Sequence, residues 1–227
     1  MYGFNENTRS EGTGSSMLPA GKNPNVFLTS VKFDKLKDDS PQAVLQFYFE
    51  DKNGASQNHV EFPVDPDRIK QRLEANPKQH KRDNKHLGFQ KGAPVTVEDQ
   101  IKTEAERQGQ RIKHIATKFM PEDKAVTSGR TWEEFAQSVL SLFASVNYKD
   151  VPLELLLGLN NEDYPKVPLF PPFLRRMDDD TELVIDPNWV RVTPLSAPTA
   201  NPAEAAKASD PFGASPAGDP TPEKSPF

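Results

Sequence analysis

Early in the chain, three runs alternate hydrophobic and polar residues with a period of two, and turn residues bound each run, so they predict strands. In "NVFLTSVKFDKL", Phe27, Thr29, Val31 and Phe33 alternate with Val26, Leu28, Ser30 and Lys32, which predicts a strand with one mixed face. "AVLQFYFEDKNG" alternates more cleanly, with Leu45, Phe47 and Phe49 on one side and Gln46, Tyr48 and Glu50 on the other. The Asn53-Gly54 pair that closes it suits the positive φ of a tight hairpin turn. In "NHVEFPVD", Val60, Phe62 and Val64 are expected inward. Pro63 cannot donate to a ladder and belongs at an edge or a strand end. The three runs read as a meander.

The period then changes. "PDRIKQRLEANPKQHKRDNKHLGFQKGAP" predicts a short basic helix followed by a basic loop. "TVEDQIKTEAERQGQRIKHIATKFM" places Ile101, Ala105, Ile112, Ile115, Ala116 and Phe119 at helical spacing, with Thr96 and Asp99 spaced as an N-terminal cap. "RTWEEFAQSVLSLFASV" repeats the design, with Thr131 as cap, Glu134 three residues on, and Phe135, Val139, Leu142, Phe143 and Val146 as the apolar stripe. Strand character returns after Tyr148. "VPLELLLGLN" and "KVPLFPPFLRR" are apolar but broken by proline, as edge strands and an ordered loop would be. "TELVIDPNWVRVTP" offers one more strand, with Leu183 and Ile185 on one face.

These elements predict a mixed α/β chain of the α+β kind: a small β domain over residues 23–193, with a helical insertion at about residues 66–147. Residues 1–22 are rich in glycine, serine and asparagine and predict a disordered N-terminal arm. Residues 194–227 are rich in proline, glycine and alanine, hold eight of the 22 prolines, and predict a disordered tail.

Composition narrows the function. The 227 residues include no cysteine, which excludes disulfides, thiolate metal sites and a cysteine nucleophile. No window approaches the roughly 18 apolar residues of a membrane span, and the first residues hold no apolar signal core, so no membrane partner and a cytoplasmic location are expected. Net charge is −5, yet the charges are segregated. Between Arg68 and Lys91 stand Arg68, Lys70, Arg72, Lys78, Lys81, Arg82, Lys85 and Lys91 against only Glu74 and Asp83. From Pro194 on, Glu204, Asp210, Asp219 and Glu223 outnumber Lys207 and Lys224.

Catalytic chemistry has little to stand on. Asp178, Asp179, Asp180, Glu182 and Asp186 could hold Mg²⁺ in a nuclease, but such a run reads first as a solvated acidic turn. His80 and His86 sit in a lysine-rich loop that repels cations. Neither a phosphate-binding glycine loop nor a GxSxG elbow is present, so no enzyme activity, cofactor or metal is expected. A binding surface fits better. Unpaired nucleic acid is gripped by a basic groove with aromatic platforms. Tyr48, opposite the inward set of its strand, is the first stacking candidate, followed by Phe27 or Phe33 if their face is open. Lys32, Lys35 and Lys37 would extend the basic strip.

The stretches "NVFLTSVKFDKL", "VLQFYFEDKNGASQNHVEFPVD" and "YPKVPLFPPFLRR…TELVID" resemble the opening meander and closing strands of the single-stranded DNA-binding proteins of tailed bacteriophages. That resemblance implies an OB-like small β-barrel with a helical insertion. It also implies non-catalytic, sequence-tolerant binding of single-stranded DNA in phage replication or recombination. Lys32, Tyr48, Arg68, Lys70, Arg72, Lys81, Arg82 and Lys85 would carry phosphate or base contacts. The ending Pro226-Phe227, echoed by "DPF" at 210–212, is similar to the C-terminal tips of bacterial single-stranded DNA-binding proteins. Phe212, Pro226 and Phe227 would then dock onto replication or recombination proteins. Lys224-Ser225 depart from the acids expected there. Two other classes fit parts of the pattern: a phage structural or assembly protein of the capsid-associated or scaffold kind, and a Mg²⁺-dependent nuclease. Nothing in the sequence specifies an oligomeric state.

Overall fold

The structure, a computed structural model, describes residues 16–76, 87, 91–187 and 190–194. It is a mixed α/β arrangement in which six antiparallel strands form one open sheet beside three helices. The strands are β1 (Gly21–Lys35), β2 (Ala43–Asp51), β3 (Ser56–Glu61), β4 (Leu153–Leu159), β5 (Pro165–Lys166) and β6 (Leu174–Arg176). The order is β3-β2-β1-β4-β5, with β6 also on β4. The three helices α1 (Pro66–Ala75), α2 (Val97–Ala116) and α3 (Trp132–Ala144) all lie between β3 and β4 in the chain, as the insertion predicted. β3 and β5 do not pair, so the sheet stays open where a barrel was expected.

The mixed face of β1 has a physical cause. A bulge between Leu28 and Ser30 changes the phase of the strand, and the Thr29 hydroxyl there donates to the Tyr48 carbonyl (3.1 Å). Before the bulge Val26 and Leu28 are buried, whereas after it Val31 and Phe33 oppose the inward Phe47 and Leu45. β1 also starts earlier than expected, at Gly21, and the residues before it are engaged too: Leu18 is buried in the core and Met17 bridges Ser56. The hairpin from β2 to β3 turns at Gly54 (φ +84°), while the Asp51 carboxylate accepts from the backbone of Asn53 and Ala55.

β4 was expected at an edge because prolines flank it. It is interior, paired with β1 on one side and with β5 and β6 on the other, and both its faces are buried. Pro152 merely precedes it, and a strand covered on both faces needs an unbroken apolar run rather than alternation. Among the described residues, the further strand expected around Leu183 and Ile185 is not formed. Leu183 is nonetheless buried, and Val190 packs close over Gly158, where a Cβ would stand 3.2 Å from its methyl.

Helix starts follow their sequence signals. Thr96 and Asp99 form a reciprocal capping box on α2, Thr131 caps α3, and Asp65 caps α1 with Pro66 in the first turn. The C-terminal half of α2 (Ile112, Ile115, Ala116) and α3 (Val139, Phe143) pack on the sheet. The N-terminal half of α2 lies against α1 instead, which leaves Ala105 exposed although the apolar stripe included it.

Candidate nucleic-acid interface

A groove of about 800 Å³ opens between β3, the helices α1 and α2, and the segments 158–169 and 190–191. β3 and β5, the two strands that do not pair, both line it. Six cations reach it: Arg68 and Arg72 from α1, Arg107 and Arg111 from α2, Lys166 from β5, and Arg191. Three carboxylates oppose them: Glu61, Asp65 and Glu104.

Half of the cations are neutralised. Arg72 pairs with Glu104, and Arg191 with Asp163. Arg111 forks onto Glu61, Nε to Oε1 at 2.6 Å and Nη2 to Oε2 at 2.7 Å. Arg68, Arg107 and Lys166 have no carboxylate partner among the described residues, and Arg107 lies 5.2 Å from the ring centre of Phe170. Two exposed apolar side chains also line the groove, Phe62 (57 % exposed) and Leu169.

The floor is polar and buried. His59 Nε2 lies 2.9 Å from Glu61 Oε1, and Gln108 Nε2 donates to the Phe62 carbonyl at 2.7 Å. Burial pushes the Glu61 carboxyl up, but the hydrogen bonds and charges of Arg111 and His59 outweigh it and hold the group at about 2. Glu61 therefore stays ionised and ties β3 to α2. This arrangement overturns the expected facing of β3. In its pairing with β2, His59 and Glu61 lie on the same face as the inward Phe47 and Leu45, whereas Val60 opposes Gln46. Phe62, expected inward, follows the end of the strand and is exposed.

The sequence-derived residues divide between two surfaces. Arg68 and Arg72 line the groove; Lys70 is exposed on α1 outside it. Lys32 and Tyr48 share the outer face of the sheet, with the ammonium 5.1 Å from the ring centre. Tyr48 is half-buried, not the open ring expected, and its hydroxyl donates to Gln46 Oε1 at 2.6 Å. Asn58 links the surfaces, because it lines the groove and donates to the same Gln46 oxygen (2.9 Å). Phe33 packs edge-on against Trp132 and offers no platform; Phe27 is half-buried opposite Glu50. Lys35 and Lys37 are exposed at the far end of β1 and do not line the groove. Lys81, Arg82, Lys85, His80 and His86, and the tail residues Phe212, Pro226 and Phe227, lie outside the described residues.

The acidic run is largely engaged elsewhere: Asp178 pairs with Arg176, Glu182 with Lys22, and Asp179 accepts from the Thr181 backbone. Among the described residues no three His, Asp or Glu gather as a metal site. Sequence reasoning missed Phe62, Arg107, Arg111, Lys166 and Arg191. Only Phe62 carried a signal, the Pro63 that ends its strand; the other four meet the groove through tertiary packing. Comparison with protein families, curated proteins and solved structures returned no match to this chain.

Proposed function

We propose that the chain binds single-stranded DNA without catalysis and with little sequence preference, along the groove between β3, α1 and α2. The observation that carries this reading is the set of cations with no carboxylate partner among the described residues, Arg68, Arg107 and Lys166, in a groove also lined by the exposed ring of Phe62. A phosphate backbone supplies the missing negative charge, and each base stacked on an aromatic ring contributes roughly 1–3 kcal/mol. The strand order supports it as well. β3-β2-β1-β4-β5, with helices between β3 and β4, is the order of an OB-like barrel left open between its third and fifth strands, and such barrels bind oligonucleotides on one face and its loops. A role in phage replication or recombination, and docking of partners on Phe212, Pro226 and Phe227, belong to this reading through the resemblance alone.

The test is titration of fluorescent oligo-dT. Wild-type protein is expected to bind at micromolar or tighter concentration. Phe62→Ala should weaken binding roughly 5- to 150-fold, one stacked base's worth, and Tyr48→Ala less, since that ring already holds Lys32 and Gln46. No binding at low salt would overturn the proposal.

A further inference from the structure

Among the described residues, the outer edge of β3 is occupied at both ends and open in the middle. At its start, Ser56 directs its backbone away from β2: its N–H donates to Ser16 O (2.8 Å) and its C=O accepts from Leu18 N–H (3.2 Å). β3 pairs with β2 without a register shift, so by alternation Asn58, Val60 and Phe62 direct their backbone groups the same way as Ser56. At the far end the Phe62 C=O is taken by Gln108. Between these ends the Asn58 C=O accepts from Gln57 Nε2 (3.2 Å). The N–H groups of Asn58 and Val60 and the C=O of Val60 have no partner among the described residues, and both residues line the groove.

We infer that this open stretch of strand edge pairs with the Watson–Crick edges of unpaired bases; the inference rests on the single-strand reading above. Every base carries at least one donor and one acceptor on that edge, as thymine does with N3–H and O4, so a backbone N–H beside a C=O meets any base in some orientation. In a duplex those edges are spent on the partner strand. The strand edge therefore selects single strands by a means separate from charge and stacking. An extended acidic peptide could also pair with this edge, but the exposed Phe62 ring beside unpaired cations favours a strand with bases.

The experiment compares oligo-dT with an oligonucleotide of N3-methylthymidine of the same length, which keeps the phosphates and the stacking rings and blocks only the edge. The methylated strand is expected to bind wild-type protein about three- to tenfold more weakly. Val60→Pro removes one outward N–H at a site where an edge strand accepts proline, and it should weaken oligo-dT more than it weakens the methylated strand. Thermal unfolding checks that the variant folds. Equal affinity of wild-type protein for the two strands overturns the inference and leaves single-strand binding standing. Failure of oligo-dT to bind at all, with a glutamate-rich peptide taking the groove instead, overturns both.

Discussion

Glu61 and His114 set the behaviour of the described region at single-residue scale. Glu61 is a buried carboxylate with Arg111, His59 and Gln108 around it. Glu61→Gln leaves the Arg111 guanidinium, itself mostly buried, without its counter-charge and should cost about 3–5 kcal/mol in chemical denaturation. The double replacement Glu61→Leu with Arg111→Met should recover much of that loss, because the penalty lies in the orphaned charge. If the single and double variants are equally destabilised, the ion pair is not what ties β3 to α2. His114 works in the opposite protonation sense. Its Nε2 accepts from the backbone N–H of Phe173 (3.3 Å) and Leu174 (3.2 Å), which only a neutral ring can do. Burial, and next the Lys118 charge, push its pKa from 6.5 down to about 4. Unfolded chains take up this proton between those values and folded ones do not. The stabilisation is thus complete above about pH 6.5 and is lost as pH falls toward 4. Melting temperature should fall over that window in the wild type, and a flatter profile is expected in His114→Gln. Equal slopes would remove His114 from the explanation.

At the scale of elements, α1 and α2 bring the groove cations to one place, and the helices separate residues that look alike in sequence. Arg68 lines the groove while Lys70, two residues on, does not. Arg68→Ala and Arg107→Ala should each weaken oligonucleotide binding and flatten its salt dependence by about 0.7 in log–log slope, one phosphate contact's worth, whereas Lys70→Ala should change neither. A Lys70 effect as large as that of Arg68 would mean that the strand lies elsewhere. The helices were legible because their starts carry caps and their stripes are periodic, as with Thr96, Asp99 and Thr131. β3 was misread for a physical reason. Its apolar residues, Val60 and then Phe62, face out, while its polar ones, His59 and Glu61, face in, where Arg111 satisfies Glu61 from a helix some fifty residues away in the chain and Glu61 in turn partners His59. Alternation gives a strand its two sides but not which side is buried. A polar interior supplied by a distant partner leaves no local trace. β1 was readable as a strand, yet its bulge at Thr29 showed only as a mixed face.

For the molecule as a whole, net charge says little about partners: the chain carries −5, but the groove gathers six cations against three carboxylates. An interface of this kind has an electrostatic signature that neither a peptide-binding sheet edge nor an assembly protein indifferent to nucleic acid would show. The decisive measurement is the affinity of wild-type protein for oligo-dT at about 50 and about 200 mM salt, the range over which phosphate contacts release their counterions. With the three groove cations that lack a carboxylate partner among the described residues engaged, the single-strand slope of about −0.7 per contact predicts a loss of roughly 15- to 20-fold between the two concentrations. Absence of binding at the lower salt, or an affinity that does not change between the two, would contradict the account.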